Sequence, residues 1–297
     1  MSLDLDQIMC DWECAAGEIS ARSVQGVDGR EVLQLRIELG VLQMFLDGRP
    51  DGVRYHDLPS AFDFVARARR AGDEVSDTDV RELEREITQY NYRRLALAVI
   101  AEDALRREEH DHAGRQLMRA VRDIDQCLRR IGVVDELRQR GREQVGLRPT
   151  LLFNRGRLAS QLRIVQGRYD EAISEAERAA GTLEELLQSV GLDSEQCDDD
   201  PGIQYLRQLA ARLRKQYAIP QTLQEQLDAA IENEDFETAA RLRERIRSGR
   251  AAIRPPAADL DVPREEFAPT DAEFFSEYGD DCDDDGGSYG GDDDEGR

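Results

Sequence analysis

Lysine is nearly missing from this chain. Lys215 is the only one among 40 basic residues, which face 63 acidic ones and leave a net charge of −23. The arginine preference reads as the codon bias of a GC-rich genome and carries no functional weight. The acidity does carry weight, because phosphate contact needs clustered positive charge and a chain this acidic is repelled at long range. Two local basic strips, Arg67-Ala68-Arg69-Arg70 and Arg138-Gln139-Arg140-Gly141-Arg142, each lie among carboxylates and read as solvated helix faces. No direct nucleic-acid binding is expected. Long apolar runs are missing too, and none approaches the ~18–20 residues of a membrane span. The N-terminal MSLDLDQIMCDWE is acidic and lacks the basic start and apolar stretch of a secretion signal, so the expected location is cytoplasmic, without membrane association.

Paired cysteines are also lacking. Cys10, Cys14, Cys127, Cys197 and Cys282 are odd in number, scattered and free of any C-x-x-C pair, the usage of reduced thiols. Cys10 and Cys14 could meet on a helix, but no second pair completes a tetrahedral zinc site. There is no G-x-x-x-x-G-K-[ST] phosphate loop, no G-x-S-x-G elbow and no cysteine with a convincing histidine partner. His110 and His112 flank Asp111 in a predicted helix–helix turn, where solvent exposure is expected. Asp281, Asp283, Asp285 and Gly286 match the opening of a calcium loop, yet Asp292 stands where the bidentate glutamate should close it. The reading is a protein without catalytic residues, metal or cofactor.

What is present is helical periodicity. Aromatics are only 6% and charged residues 35%, which suits a mainly α protein with narrow apolar stripes. Strand signals dominate only near the start, where Leu33, Leu35, Ile37 and Leu39 alternate with polar residues. Asp28-Gly29 before them predicts a type I′ hairpin turn, and after Gly40 the alternation shifts phase to Leu42, Met44 and Leu46. This predicts a small antiparallel β unit of two to four strands over residues 1–58.

A helical domain is expected over 59–218. Its first helix covers 61–70 and ends near Gly72, and a longer one starts around Ser76 or Asp77. Small residues Ala101, Ala113 and Ala120 mark one helical pair. The turn Gly167-Arg168-Tyr169-Asp170-Glu171-Ala172 marks another, with Ala176 and Ala179 behind it, and residues 132–149 read as an insertion between the two. The second stretch resembles a tetratricopeptide (TPR) unit, although the period of about 34 is not kept, and a non-repeat bundle of helical hairpins is the competing reading. Beyond Gly249 the chain becomes rich in Pro, Gly and Asp, and residues 250–297 are expected to form a disordered acidic tail.

The densest signal lies at LQEQLDAAIENEDFETAARLRERIR, residues 223–247. Leu223, Leu227, Ala230 and Ile231 share one helical face; Phe236, Ala239, Leu242 and Ile246 form a second stripe with Ala240 beside it. Between them Asn233 tolerates a left-handed conformation and Asp235 can cap a new helix. The expectation is an antiparallel helical hairpin spanning 219–249. The run A-I-E-x-E-D-F-E-x-A-A-x-L-R resembles the UVR motif of the excision-repair proteins UvrB and UvrC, which also occurs in Clp-type chaperones and an arginine-kinase activator. Glu244 stands where an aspartate is common in that motif and keeps its charge. The paired C-x-x-C zinc sites of the kinase activator are absent here, as is the ATP-binding loop of UvrB.

The resemblance implies protein–protein contact and no catalysis. The motif pairs with a partner carrying a UVR-type motif, or with itself, through Leu223, Leu227, Ile231, Asp235, Phe236, Ala239, Ala240, Leu242 and Ile246. The functional expectation is a non-catalytic adaptor. The alternative is an accessory factor of UvrB/UvrC-type nucleotide excision repair, recruited through the motif.

Overall fold

A computed structural model describes residues 9–12, 14, 18–37, 40–139 and 146–249. The calcium-loop match, the tail beyond Gly249 and Arg140 and Arg142 fall outside them. The protein is mainly α: among the described residues, nine helices follow one three-stranded antiparallel meander.

Strands β1 (Ile19–Gln25), β2 (Glu31–Ile37) and β3 (Gly40–Phe45) pair in sequence order, with Leu33 opposite Met44 and Leu35 opposite Leu42. Val32, Leu33, Leu35 and Met44 are buried, whereas Leu42, expected inward, is 38% exposed on the edge strand. The β1–β2 connection also departs from expectation. Gly29 is left-handed (φ 78°) while Val27 and Asp28 are not, and the Gly29 N–H donates to the Gly26 carbonyl at 2.9 Å. Asp28-Gly29 therefore closes a type I turn followed by a left-handed glycine, rather than a two-residue type I′ turn.

The helices begin and end where local chemistry permits. Helix α1 (Ala61–Ala71) is capped by Ser60 and stops at left-handed Gly72 (φ 77°). Helix α2 (Asp77–Arg106) starts from a capping box in which Ser76 and Asp79 satisfy each other's backbone N–H. Helix α3 (His110–Arg138) runs back along α2, and Ala101, Ala113 and Ala120 are fully buried. It passes straight through Gly132, so the helical part of the segment expected as an insertion of helix and loop is the last turns of this helix. His110 and His112 lie in its first turn and are half-buried, not freely exposed.

Helices α4 (Arg148–Val165), α5 (Tyr169–Ser189) and α7 (Pro201–Tyr217) pack on one another, with the short α6 (Ser194–Asp198) between α5 and α7. Phe153, Leu183, Ile203 and Leu206 form one core cluster, and Ile164, Ile173, Leu209 and Leu213 another. Close approach of α4 and α5 depends on Gly156, since a Cβ there would lie 2.2 Å from that of Ala179.

Periodicity gave no warning of the polar centre of the α2–α3 pair. Arg93 and Asp123 form two hydrogen bonds (2.6 and 2.9 Å), and Arg93 Nη1 also donates to the carbonyls of Phe45 and Gly48. Glu86, fully buried, accepts from the Ala61 N–H at 2.5 Å and from Arg130 at 3.0 Å. Arg130 in turn stacks over Phe62 and Tyr90. These charges tie the strand connection and the start of α1 to the long helices, and each has a partner of opposite sign, the condition for burying ions at tolerable cost.

Candidate functional site: the C-terminal helical hairpin

Helix α8 (Leu223–Glu232) begins at Thr222, whose hydroxyl accepts the Glu225 N–H at 3.2 Å while Glu225 accepts the Thr222 N–H at 2.6 Å. This capping box was legible as T-x-x-E, but the apolar stripe alone does not reveal it. Arg214, at the end of α7, anchors the same turn. It donates to Glu225 (2.7 Å), to Glu177 on α5 (2.8 Å) and to the Pro220 carbonyl (2.9 Å). Burial pushes the Glu225 carboxyl up, but the Arg214 and Thr222 hydrogen bonds more than offset this and hold it below its ordinary value.

The turn to α9 (Phe236–Gly249) is tight. The Asn233 N–H donates to Ala229 O and the Asp235 N–H to Ala230 O at 2.8 Å. The left-handed residue is Glu234 (φ 58°), not Asn233, which keeps a negative φ and turns its amide onto the Ala229 carbonyl. Asp235 begins the second helix: its carboxylate accepts the Thr238 N–H at 3.0 Å, and the hydrogen bonds from Thr238 lower its pKa.

Leu227, Ala230, Ala239 and Leu242 form a miniature core, with Leu223 and Ile246 packed against it. An alanine on each helix lets the two backbones approach closely, so the inward face is narrow. Three of the predicted apolar site residues are therefore outside it. Ile231 is 40% exposed, Phe236 is 71% exposed, and Ala240 faces solvent. Phe236 opens α9 and, at about 100° per residue, stands ~60° from Ala239 and ~120° from Leu242. The expected continuous stripe from Phe236 to Ile246 is thus split into an inward line and an outward one. Ile231 and Phe236 flank the turn on opposite helices as exposed apolar side chains, beside the exposed carboxylates of Glu232, Glu234, Asp235 and Glu237.

An open cleft of about 440 Å³ lies beside the hairpin base, lined by Arg168, Ile219, Leu223, Arg245 and Ile246 among others. Among the described residues no group of three or more His, Cys, Asp and Glu side chains is placed to hold a metal ion. No described helix is long and apolar enough to cross a membrane. Arginines in and after the second basic strip are occupied: Arg138 grips Glu84 with two 3.0 Å bonds, Arg148 meets Asp135, Arg155 meets Asp125, and Arg157 meets Glu102.

Comparison with known families places the UvrB/uvrC motif (UVR) on residues 221–250. No curated protein and no solved structure is significantly similar to the chain. The match coincides with the capped hairpin and its miniature core, so residues 221–250 are a UVR motif, a protein-interaction element rather than a catalytic domain.

Proposed function

We propose that this protein is a non-catalytic adaptor whose UVR hairpin binds a partner carrying a motif of the same kind, or a second copy of the chain. The observation that carries this reading is the division of labour within the hairpin. Leu227, Ala230, Ala239 and Leu242 fold it, while Ile231, Phe236 and Ala240 are left outward at its tip. Among the described residues little covers the Phe236 ring, which is 71% exposed, and such exposed apolar groups mark contact surfaces. Partner binding by the nine residues named from the sequence then separates into two roles: Leu223, Leu227, Ala239, Leu242 and Ile246 shape the hairpin, and Ile231, Phe236 and Ala240 meet the partner, with Asp235 fixing the turn.

The test is co-purification of tagged with untagged chains, and of tagged chain with separately prepared UVR-bearing proteins. Binding that survives Leu242→Asp, which breaks the hairpin core, removes the hairpin from the account. A role beside UvrB/UvrC-type repair proteins is a narrower version of this proposal, supported by the motif's owners. It works through protein contact: Arg138, Arg148, Arg155 and Arg157 are already paired with carboxylates, and a net charge of −23 opposes contact with a DNA strand.

A further inference from the structure

The charges of the hairpin are sorted along its length. Residues 223–247 carry seven carboxylates and four arginines. Four of the carboxylates, Glu232, Glu234, Asp235 and Glu237, crowd into the tip, where residues 231–237 are all exposed and none is basic. Towards the far end of α9 the order reverses. Arg241, Arg243, Arg245 and Arg247 are all exposed there, with Glu244 the one carboxylate among them. Glu225, on the facing helix at that end, is already held by Arg214, and Asp228 stands midway.

The base of the same hairpin also holds an apolar recess. Ile219, Pro220, Leu223 and Ile246 line the open cleft of about 440 Å³, together with Arg245 and with Arg168, which is tied to Glu171. An exposed phenyl ring and an apolar cleft are complementary, but one molecule cannot join its own. Ten residues of α9 separate Phe236 from Ile246, so the helix holds them ~15 Å apart. Two copies with their hairpins antiparallel can join them. Each tip then reaches the base of the other, ring to cleft and carboxylates to arginines, and both contacts are made twice about a two-fold axis. A tip-to-tip arrangement would instead set four carboxylates against four. Repulsion between two chains of net charge −23 is largely screened beyond ~8 Å at physiological salt, so the sorting of charge at short range decides the docking.

We propose that two copies of this chain dock antiparallel through their hairpins, each seating Phe236 in the cleft beside the α7–α8 joint of the other. The proposal rests on the hairpin tip being the binding surface, and it names a second copy as what that tip meets. The receiving surface is wider than the motif, since Ala218, Ile219 and Pro220 line the cleft and precede residue 221.

The test places a photo-crosslinker in the full chain by Phe236→p-benzoylphenylalanine, an exchange of one exposed aromatic for another. A one-to-one mixture of chains carrying light and heavy nitrogen is irradiated and the crosslinked peptides are identified by mass. The expected product joins residue 236 of one copy to residues 218–226 or 245–246 of another. Its yield should fall several-fold when both copies carry Arg243→Glu/Arg245→Glu, and equally when both carry Glu234→Arg/Glu237→Arg. Mixing the two variants should restore it, because each tip again meets a base of opposite charge. Crosslinks only to residues 231–237 of another copy overturn the antiparallel arrangement while supporting the hairpin as an interface. Failure of the mixture to recover, crosslinks only within one copy, or none between copies while a separately prepared UVR-bearing protein is still captured, overturns docking on a second copy. The last of these leaves the hairpin tip as a binding surface.

Discussion

Arg93 and Asp123 are buried against each other, 1% and 0% exposed, with guanidinium and carboxylate joined by bonds of 2.6 and 2.9 Å. Through the same guanidinium the α2–α3 pair holds the end of β3 and the turn after it, because Arg93 donates to the carbonyls of Phe45 and Gly48. Breaking such a pair from one side strands a charge in a dry site. Asp123→Ala should therefore cost about 3–5 kcal/mol in urea unfolding. A loss below about 1 kcal/mol would show that water reaches the pair.

Helix α4 approaches α5 at Gly156, where a methyl group would meet Ala179 at 2.2 Å. Gly156→Ala should destabilise the fold by about 1–3 kcal/mol through overpacking. Gly181, inside α5, has nothing within 4 Å of a built Cβ, so Gly181→Ala should stabilise by about 0.5–1 kcal/mol by removing backbone freedom from the unfolded chain. Thermal melts of the two variants should move in opposite directions. Equal shifts would contradict the close approach.

Cys127 lies wholly buried on α3, and its thiol is pushed up to about 12, chiefly by burial. The reactive thiolate is then scarce at pH 8 and sterically covered. Iodoacetamide should leave Cys127 unmodified in the native protein over hours, modify the exposed Cys10, and reach Cys127 only in denaturant. Native labelling of Cys127 within minutes would place it elsewhere.

The mainly α class and the small meander were legible because their signals are local: Ser76 and Gly72 bound helices by their own chemistry, and β2 alternates visibly. The hairpin was legible for the same reason, down to the Asp235 cap. Other features depend on what lies across a contact. Arg93, Asp123, Glu86 and Arg130 look like surface charges at helical spacing, and only the facing helix makes them a buried network. Phe236 was read as part of one apolar stripe with Ala239, Leu242 and Ile246. The alanine contact narrows the inward face and leaves the ring outside, a consequence of two helices meeting that one stripe cannot display. The type I turn at Gly29 was missed because Asp-Gly serves more than one hairpin geometry, and the choice rests on the length of the connection.

The outward tip is the centre of the functional account, and Phe236→Asp examines it with little interference from folding. At 71% exposure the ring contributes little to the fold, so the variant's melting temperature and helical content should match those of the parent. Its affinity for a UVR-bearing partner or for a second copy should fall at least tenfold, a loss of about 1.4 kcal/mol or more. The decisive measurement is binding of this variant beside its melt: a stable protein that no longer binds is the predicted result, and a stable protein that binds as tightly as the parent would contradict the account.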